Sequence, residues 1–275
     1  MTKVLLKGLF MAKQRIQLSD HFTYSRLLRF VLPCIGTMLF TSIYGIVDGL
    51  CVSNFVGKTA FAAVNLIMPL PMLLGTIGFM LGTGGSAIVG ITLGEGDQKK
   101  ADRYFTLFLL AALISVSVLA VLGIVFLRPI AVLLGAKGEL LDYAVRYGRI
   151  LMVSLPTFAL QNMFQSFFVT AEKPHLGFYF TVGAGCTNMV LDVLLVGILH
   201  WSVEGAAIAT MLSQVVGGLL PVFYFLNRKN TSLLHLCRTQ FEGGVLLKAC
   251  VNGSSELMTN LSMSLVNILY NYQLL

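Results

Sequence analysis

Asp48, Asn188, Asp192 and Thr210 carry oxygen atoms into stretches of sequence that are otherwise apolar. A carboxylate in such a setting is costly, roughly 2.5–3.5 kcal/mol near the centre of a bilayer, and usually faces a cavity that serves ions or substrate. Asn188 and Asp192 are four residues apart, so a helix places them on one face. Thr210 follows a run of small residues, Gly205-Ala206-Ala207-Ile208-Ala209, that lets a neighbouring backbone come close. Two acids, an amide and a hydroxyl together have the chemistry to take up and release a proton, since desolvation and like-charge repulsion raise a carboxyl pKa. The same oxygens suit a hard cation such as Na⁺. Residue types alone leave both open, and for each acid singly a snorkelling or capping role is the bland alternative.

Further groups are weaker. Glu256, with Asn260 one turn later, is a second acidic position. Gln161, Asn162 and Gln165 form a polar patch explained by interhelical hydrogen bonds. The run Gly82-Thr83-Gly84-Gly85-Ser86 lacks the lysine of a phosphate loop and reads as a close-packing surface. His21, His175, His200 and His235 are scattered, so neither a metal set, a Ser-His dyad nor an enzyme is expected. No cofactor is expected beyond a coupling ion. Five cysteines, Cys34, Cys51, Cys186, Cys237 and Cys250, show no paired spacing, and disulfides are not expected.

The elements that must hold these groups follow from hydropathy. With 56% hydrophobic and 11% charged residues and a mean hydropathy of +0.83, the chain is an integral membrane protein. Apolar runs predict seven spans, at about 27–56, 60–93, 104–127, 147–170, 176–199, 203–226 and 246–275. None alternates as a barrel strand does, so the fold class is an all-α polytopic membrane protein. Lys and Arg split 14 to 5 between alternate sides, which puts the N-terminus in the cytoplasm. That asymmetry, rather than nucleic acid binding, accounts for the +7 charge. At 1.5 Å rise per residue, Asp48, Asp192 and Thr210 each fall roughly 10–12 Å below the outer surface, on one level. Prolines at 33, 69, 71, 156 and 221 permit bends within spans.

The domain reading is a basic cytoplasmic segment at 1–26, itself suited to a surface helix, a six-helix bundle at 27–226, a cytoplasmic linker at 227–245 and the first helix of a second bundle at 246–275. An offset of 219 superposes Leu27 on Leu246, Arg29 on Lys248 and Asp48 on Asn267, as a duplicated bundle would. The sequence stops at Gln273-Leu274-Leu275 inside apolar helix, where the last carbonyls would be stranded. The expectation is a truncated chain, or a half that needs a partner.

Five stretches carry a resemblance: Tyr44-Gly45-Ile46-Val47-Asp48 with Gly57 after it, Gly94-Glu95-Gly96-Asp97, Glu172-Lys173-Pro174, the Asn188–Asp192 pair, and Gly205 to Thr210. In these the chain resembles the multidrug and toxic compound extrusion (MATE) family, of the DinF-like or related bacterial type. The resemblance implies a twelve-helix fold in two six-helix lobes, of which this chain supplies the N-terminal lobe and a seventh helix. It implies that Asp48, Asn188, Asp192 and Thr210 form the cation-coupling cluster, with Na⁺ possible there, and that Glu256 is a coupling position of the second lobe. It further implies exchange of H⁺ or Na⁺ for cationic amphipathic drugs and dyes across a bacterial plasma membrane. In the implied cycle, protonation of Asp48 or Asp192 from outside bends the first helix and expels substrate. A flippase of lipid-linked precursors shares the superfamily but predicts basic residues lining the cleft to meet phosphate, and no span interior carries Lys or Arg, those at 29, 149 and 248 lying at span ends; a non-functional fragment is the other alternative. A seven-helix receptor would need an extracellular N-terminus.

Overall fold

A computed structural model of the chain describes residues 24–227, 230 and 232–274. The surface helix expected near the N-terminus lies outside the described residues. Those described form helices and short connections, with no strand among them. In hydrocarbon every backbone polar group must be satisfied within its own segment, and helices do this.

The elements are α1 (Tyr24–Phe55), α2 (Lys58–Ile67), α3 (Pro69–Gly94), α4 (Gln98–Leu133), α5 (Gly138–Thr170), α6 (Pro174–Asp192) with a π-helical turn over Val193–Ile198, α7 (Ser202–Leu226), α8 (Gly243–Asn252) and α9 (Ser254–Leu274). Polar, tightly turning residues separate them. Gly57, at φ 109°, starts α2 in a conformation that a side chain would resist. The Asp97 carboxylate caps α4 by accepting the Lys100 N–H at 3.1 Å. Pro174 opens α6, where a missing N–H costs nothing.

Two expected spans are interrupted. The second breaks at Met68, because Pro69 and Pro71 supply no amide hydrogen. The seventh breaks at Gly253 into α8 and α9. By length and composition, five segments of the described residues are apolar enough to cross a membrane: those at 30–47, 58–94, 98–133, 174–198 and 202–226. The other two expected spans fall short of that measure. Gln161, Asn162 and Gln165 dilute α5, while Ser254, Ser255, Glu256, Thr259 and Asn260 dilute α9.

Helix α5 is the hub, packing along α2, α3, α4 and α7. α6 lies between α1 and α7, and α8 and α9 both lie on α3. Small residues set these distances. A methyl on Gly78 would lie 2.6 Å from the Ala159 carbonyl oxygen, and one on Gly82 would lie 2.9 Å from the Met163 Cα. Gly84 meets Ala249 and Gly253 of the seventh span just as closely, so the glycine run serves helix packing.

Two buried clusters fill the bundle. The one at the far end, away from the start of α1, is aliphatic around Ile67, Leu127, Met152 and Leu155. The near-end cluster is aromatic: Phe105 lies 4.8 Å from Phe167 and 5.0 Å from Phe225 between ring centres, and Phe168 stacks on Phe180 at 5.5 Å. Lys173 closes this end, donating to the Tyr224 hydroxyl at 2.9 Å and lying 5.7 Å from its ring centre. At the far end Arg146 and Glu204 form an exposed pair at 3.6 Å, which contributes little. Beside it, the hydrogen bond from Tyr143 to Glu139 and that carboxylate's charge hold the phenol above its ordinary pKa.

Candidate functional site

Helix α6, packed between α1 and α7, carries two deeply buried polar side chains. Asp192 is 0% and Asn188 1% exposed, on the shared face that their spacing requires. Both carboxylate oxygens of Asp192 and the Asn188 Oδ1 are sealed from solvent. The Asn188 Oδ1 has no hydrogen-bond donor among the described residues. Thr210 is half-buried, and its hydroxyl donates to the Ala206 carbonyl one turn back at 3.0 Å. With its proton engaged there, Thr210 offers only lone pairs to its surroundings.

Register brings these positions level. α6 and α7 are antiparallel, pinned near one end by Lys173 on Tyr224 and near the other by Gly205, where a methyl would lie 3.3 Å from the Leu195 Cβ. Thr210 is therefore level with about residues 187–190 of α6. α1 and α6 run parallel, with Gly36 on the Phe178 ring, Gly185 on the Phe40 ring and Gly197 on the Phe55 ring. A residue of α1 thus lies level with one about 143 positions later, which sets position 48 beside 190–193. The backbone at all four predicted positions falls within the band level with residues 187–193 of α6. The Asp48 side chain itself lies outside the described residues.

Glu256 is placed elsewhere. It is half-buried in the first turn of α9, where the helix dipole favours a carboxylate, and Asn260 donates to its backbone carbonyl at 2.9 Å and to its Oε2 at 3.5 Å. That setting is milder than the depth predicted for it, because the break at Gly253 creates a helix start there.

Two features of α6 and α7 were not foreseen. The helix widens into a π turn immediately after Asp192; such turns occur disproportionately at functional sites. Gln214, one turn beyond Thr210, has an Oε1 that is buried without a donor among the described residues. Its spacing of four from Thr210 was the available signal. Among the described residues no three His, Cys, Asp or Glu side chains gather as a metal set.

A separate cleft of about 660 Å³ opens between α2, α3 and α9, lined by Phe61, Asn65, Met72, Asn267, Tyr270 and Asn271 among others. Asn271 bridges it, donating to the Asn65 carbonyl at 2.8 Å. Among the described residues its lining carries no ionisable carboxylate or ammonium group.

Known proteins share this architecture. The multidrug export protein MepA of Staphylococcus haemolyticus is 28% identical over 221 residues, which are 80% of this chain and 49% of that protein. MepA of Staphylococcus aureus strain MRSA252 is 26% identical over 209 residues, 75% of this chain and 46% of that one. The chain therefore spans about half the length of the curated relatives it matches. Among solved structures, an outward-facing multidrug resistance MATE family transporter superposes with a TM-score of 0.80 at 26% identity, covering 87% of this chain and 53% of the other. A MOP superfamily transporter from Pyrococcus furiosus does so with the same score, identity and coverage. The MatE family profile matches residues 33–194, more than half of the chain, and takes in α1 to α6 with Asn188 and Asp192. This integral membrane protein belongs to the MatE family.

Proposed function

We propose that the chain is the cation-coupling half of a secondary-active exporter that exchanges H⁺ or Na⁺ for cationic amphipathic compounds. The observation that carries this reading is the burial of Asp192 and Asn188 on α6, at about the level of Thr210 and of position 48. A carboxylate and an amide oxygen held this far from solvent attract either a proton or a cation. Asp48 and Asp192 would carry the charge, Asn188 and Thr210 would complete the oxygen set, and Glu256 would serve a second bundle. Sodium, if it is the ion, would sit among Asp48, Asn188, Asp192 and Thr210, replacing its hydration shell with their oxygens.

Substrate would approach the cleft beside α9, whose Phe61 and Tyr270 rings suit an aromatic cation through their faces. A second six-helix bundle is the proposed partner that encloses it. Like the bacterial exporters it resembles, the chain would lie in a bacterial plasma membrane, and the charge asymmetry of the sequence would put its near end in the cytoplasm. No catalytic chemistry is assigned, in keeping with relatives that are exporters.

The single tryptophan, Trp201, packs against Gly205 at the far end of the bundle and provides a reporter. Titrating Na⁺, and separately H⁺, into the purified chain in nanodiscs should change its emission, and Asp192→Asn should abolish that change. An undiminished response in Asp192→Asn would overturn the site. Dye efflux by the chain joined to a second bundle from a matched MepA, with and without Asp48→Asn, tests the transport step.

A further inference from the structure

The segment that joins α7 to α8 carries no regular structure over 232–242, yet the amides of 232, 234, 235, 236 and 237 all have acceptors. The Ser232 N–H donates to the Asn230 Oδ1 at 2.9 Å, and the Leu234 N–H donates to the Ser232 Oγ at 3.3 Å. The His235 N–H donates to the Asp102 carboxylate at 2.9 Å, Leu236 N–H to the Phe225 carbonyl at 3.1 Å and Cys237 N–H to the Thr106 hydroxyl at 3.1 Å. Gln98 reaches up from α4 to the Leu233 carbonyl, and the Asn230 amide reaches the Tyr224 carbonyl of α7. Between these anchors Leu234, 0% exposed, joins the buried near-end cluster that also holds Phe105, Phe164 and Phe225. A free tether would leave these donors to water and this side chain on the surface.

We propose that residues 232–237 are a docked strap which clips the near ends of α4 and α7 together across α5 and fixes where α8 begins, with Asp102 and Thr106 as positioning residues. α8 is then held at both ends: by the strap before it, and by the close approach of Gly84 to Ala249 and Gly253 behind it. It travels with the first bundle, so any rocking of a following bundle pivots beyond residue 252. This inference does not depend on which cation is coupled, or on coupling at all.

Hydrogen exchange on the purified chain in nanodiscs tests it. In the parent chain the 232–237 amides exchange slowly. Asp102→Ala speeds exchange at His235, and Thr106→Val at Cys237, by about tenfold each, the worth of roughly one hydrogen bond. Asp102→Asn keeps an acceptor oxygen and stays near the parent. A spin-label pair on Lys99→Cys of α4 and Lys248→Cys of α8, with the native cysteines replaced, broadens in Asp102→Ala, while a pair within the bundle, on Lys137→Cys and Glu172→Cys, stays narrow. Exchange at 235–237 as fast as in an unstructured peptide, or unchanged by both substitutions, overturns the proposal. If Asp102→Ala fails to fold, Thr106→Val decides alone, since it removes one acceptor without leaving a cavity.

Discussion

Replacing Gly84 by alanine tests how the seventh span is attached. A methyl at Gly84 would lie 2.7 Å from the Gly253 nitrogen and 2.9 Å from the Ala249 carbonyl carbon, and nearer still to the Ala249 oxygen. All three are backbone atoms, so no side chain can rotate out of the way. An unstrained contact needs about 3.5–4.0 Å, and α3 and α8 must therefore part by about 1.5–2 Å. Overpacking of this kind costs about 1–3 kcal/mol. Replacing a helical glycine returns about 0.5–1 kcal/mol, leaving a net loss of about 1–2 kcal/mol. Gly183→Ala is the control: nothing lies within 4 Å of its added methyl, so the variant should match or exceed the parent by about 0.5 kcal/mol. Equilibrium unfolding in mixed micelles measures the difference, and alkylation of the half-buried Cys250 on α8 reports whether that helix lifts. If Gly84→Ala is as stable as Gly183→Ala and Cys250 is no more reactive, then the seventh span does not rest on Gly84 and the reasoning fails.

Other substitutions have equally definite outcomes. Thr210→Val and Asn188→Leu should each weaken the cation-induced change in Trp201 emission by about tenfold or more, as loss of a single charge-assisted contact does; an unaltered midpoint in both would remove them from the site. Lys173→Met should lower stability by about 1–2 kcal/mol through loss of both the hydrogen bond and the ring contact, while Tyr224→Phe should cost about half of that, as thermal unfolding would report. Leu234→Ala should cost about 2–4 kcal/mol, since it leaves a cavity among aromatic rings; a loss below 0.5 kcal/mol would place Leu234 at the surface in solution.

Much of this was legible because hydrocarbon imposes local rules. Runs such as Tyr104 to Leu127 must be helical in lipid whatever surrounds them, and helical periodicity alone puts Asn188 and Asp192 on one face. The glycine run at 82–85 could be assigned to packing by the absence of a lysine, and Gly84 packs as expected. The breaks at Met68 and Gly253 were less legible. Pro69 and Gly253 mark them, but a proline or glycine within an apolar run is also compatible with a continuous, bent helix. The setting of Glu256 followed from that break. The strap was illegible, because an irregular segment has no periodicity, and its anchors Asp102 and Thr106 lie more than 120 positions away.

The sequence by itself determined the class of solvent, the helices and the level of each polar group within its own helix, since these depend on neighbours a few residues apart. The tertiary structure decided which levels coincide in space. It also decided which amide oxygens are buried, where the π turn falls and how the linker is held. Those outcomes rest on the approach of helices at glycine and alanine contacts, and such contacts are set by register between segments rather than by any residue's own preference.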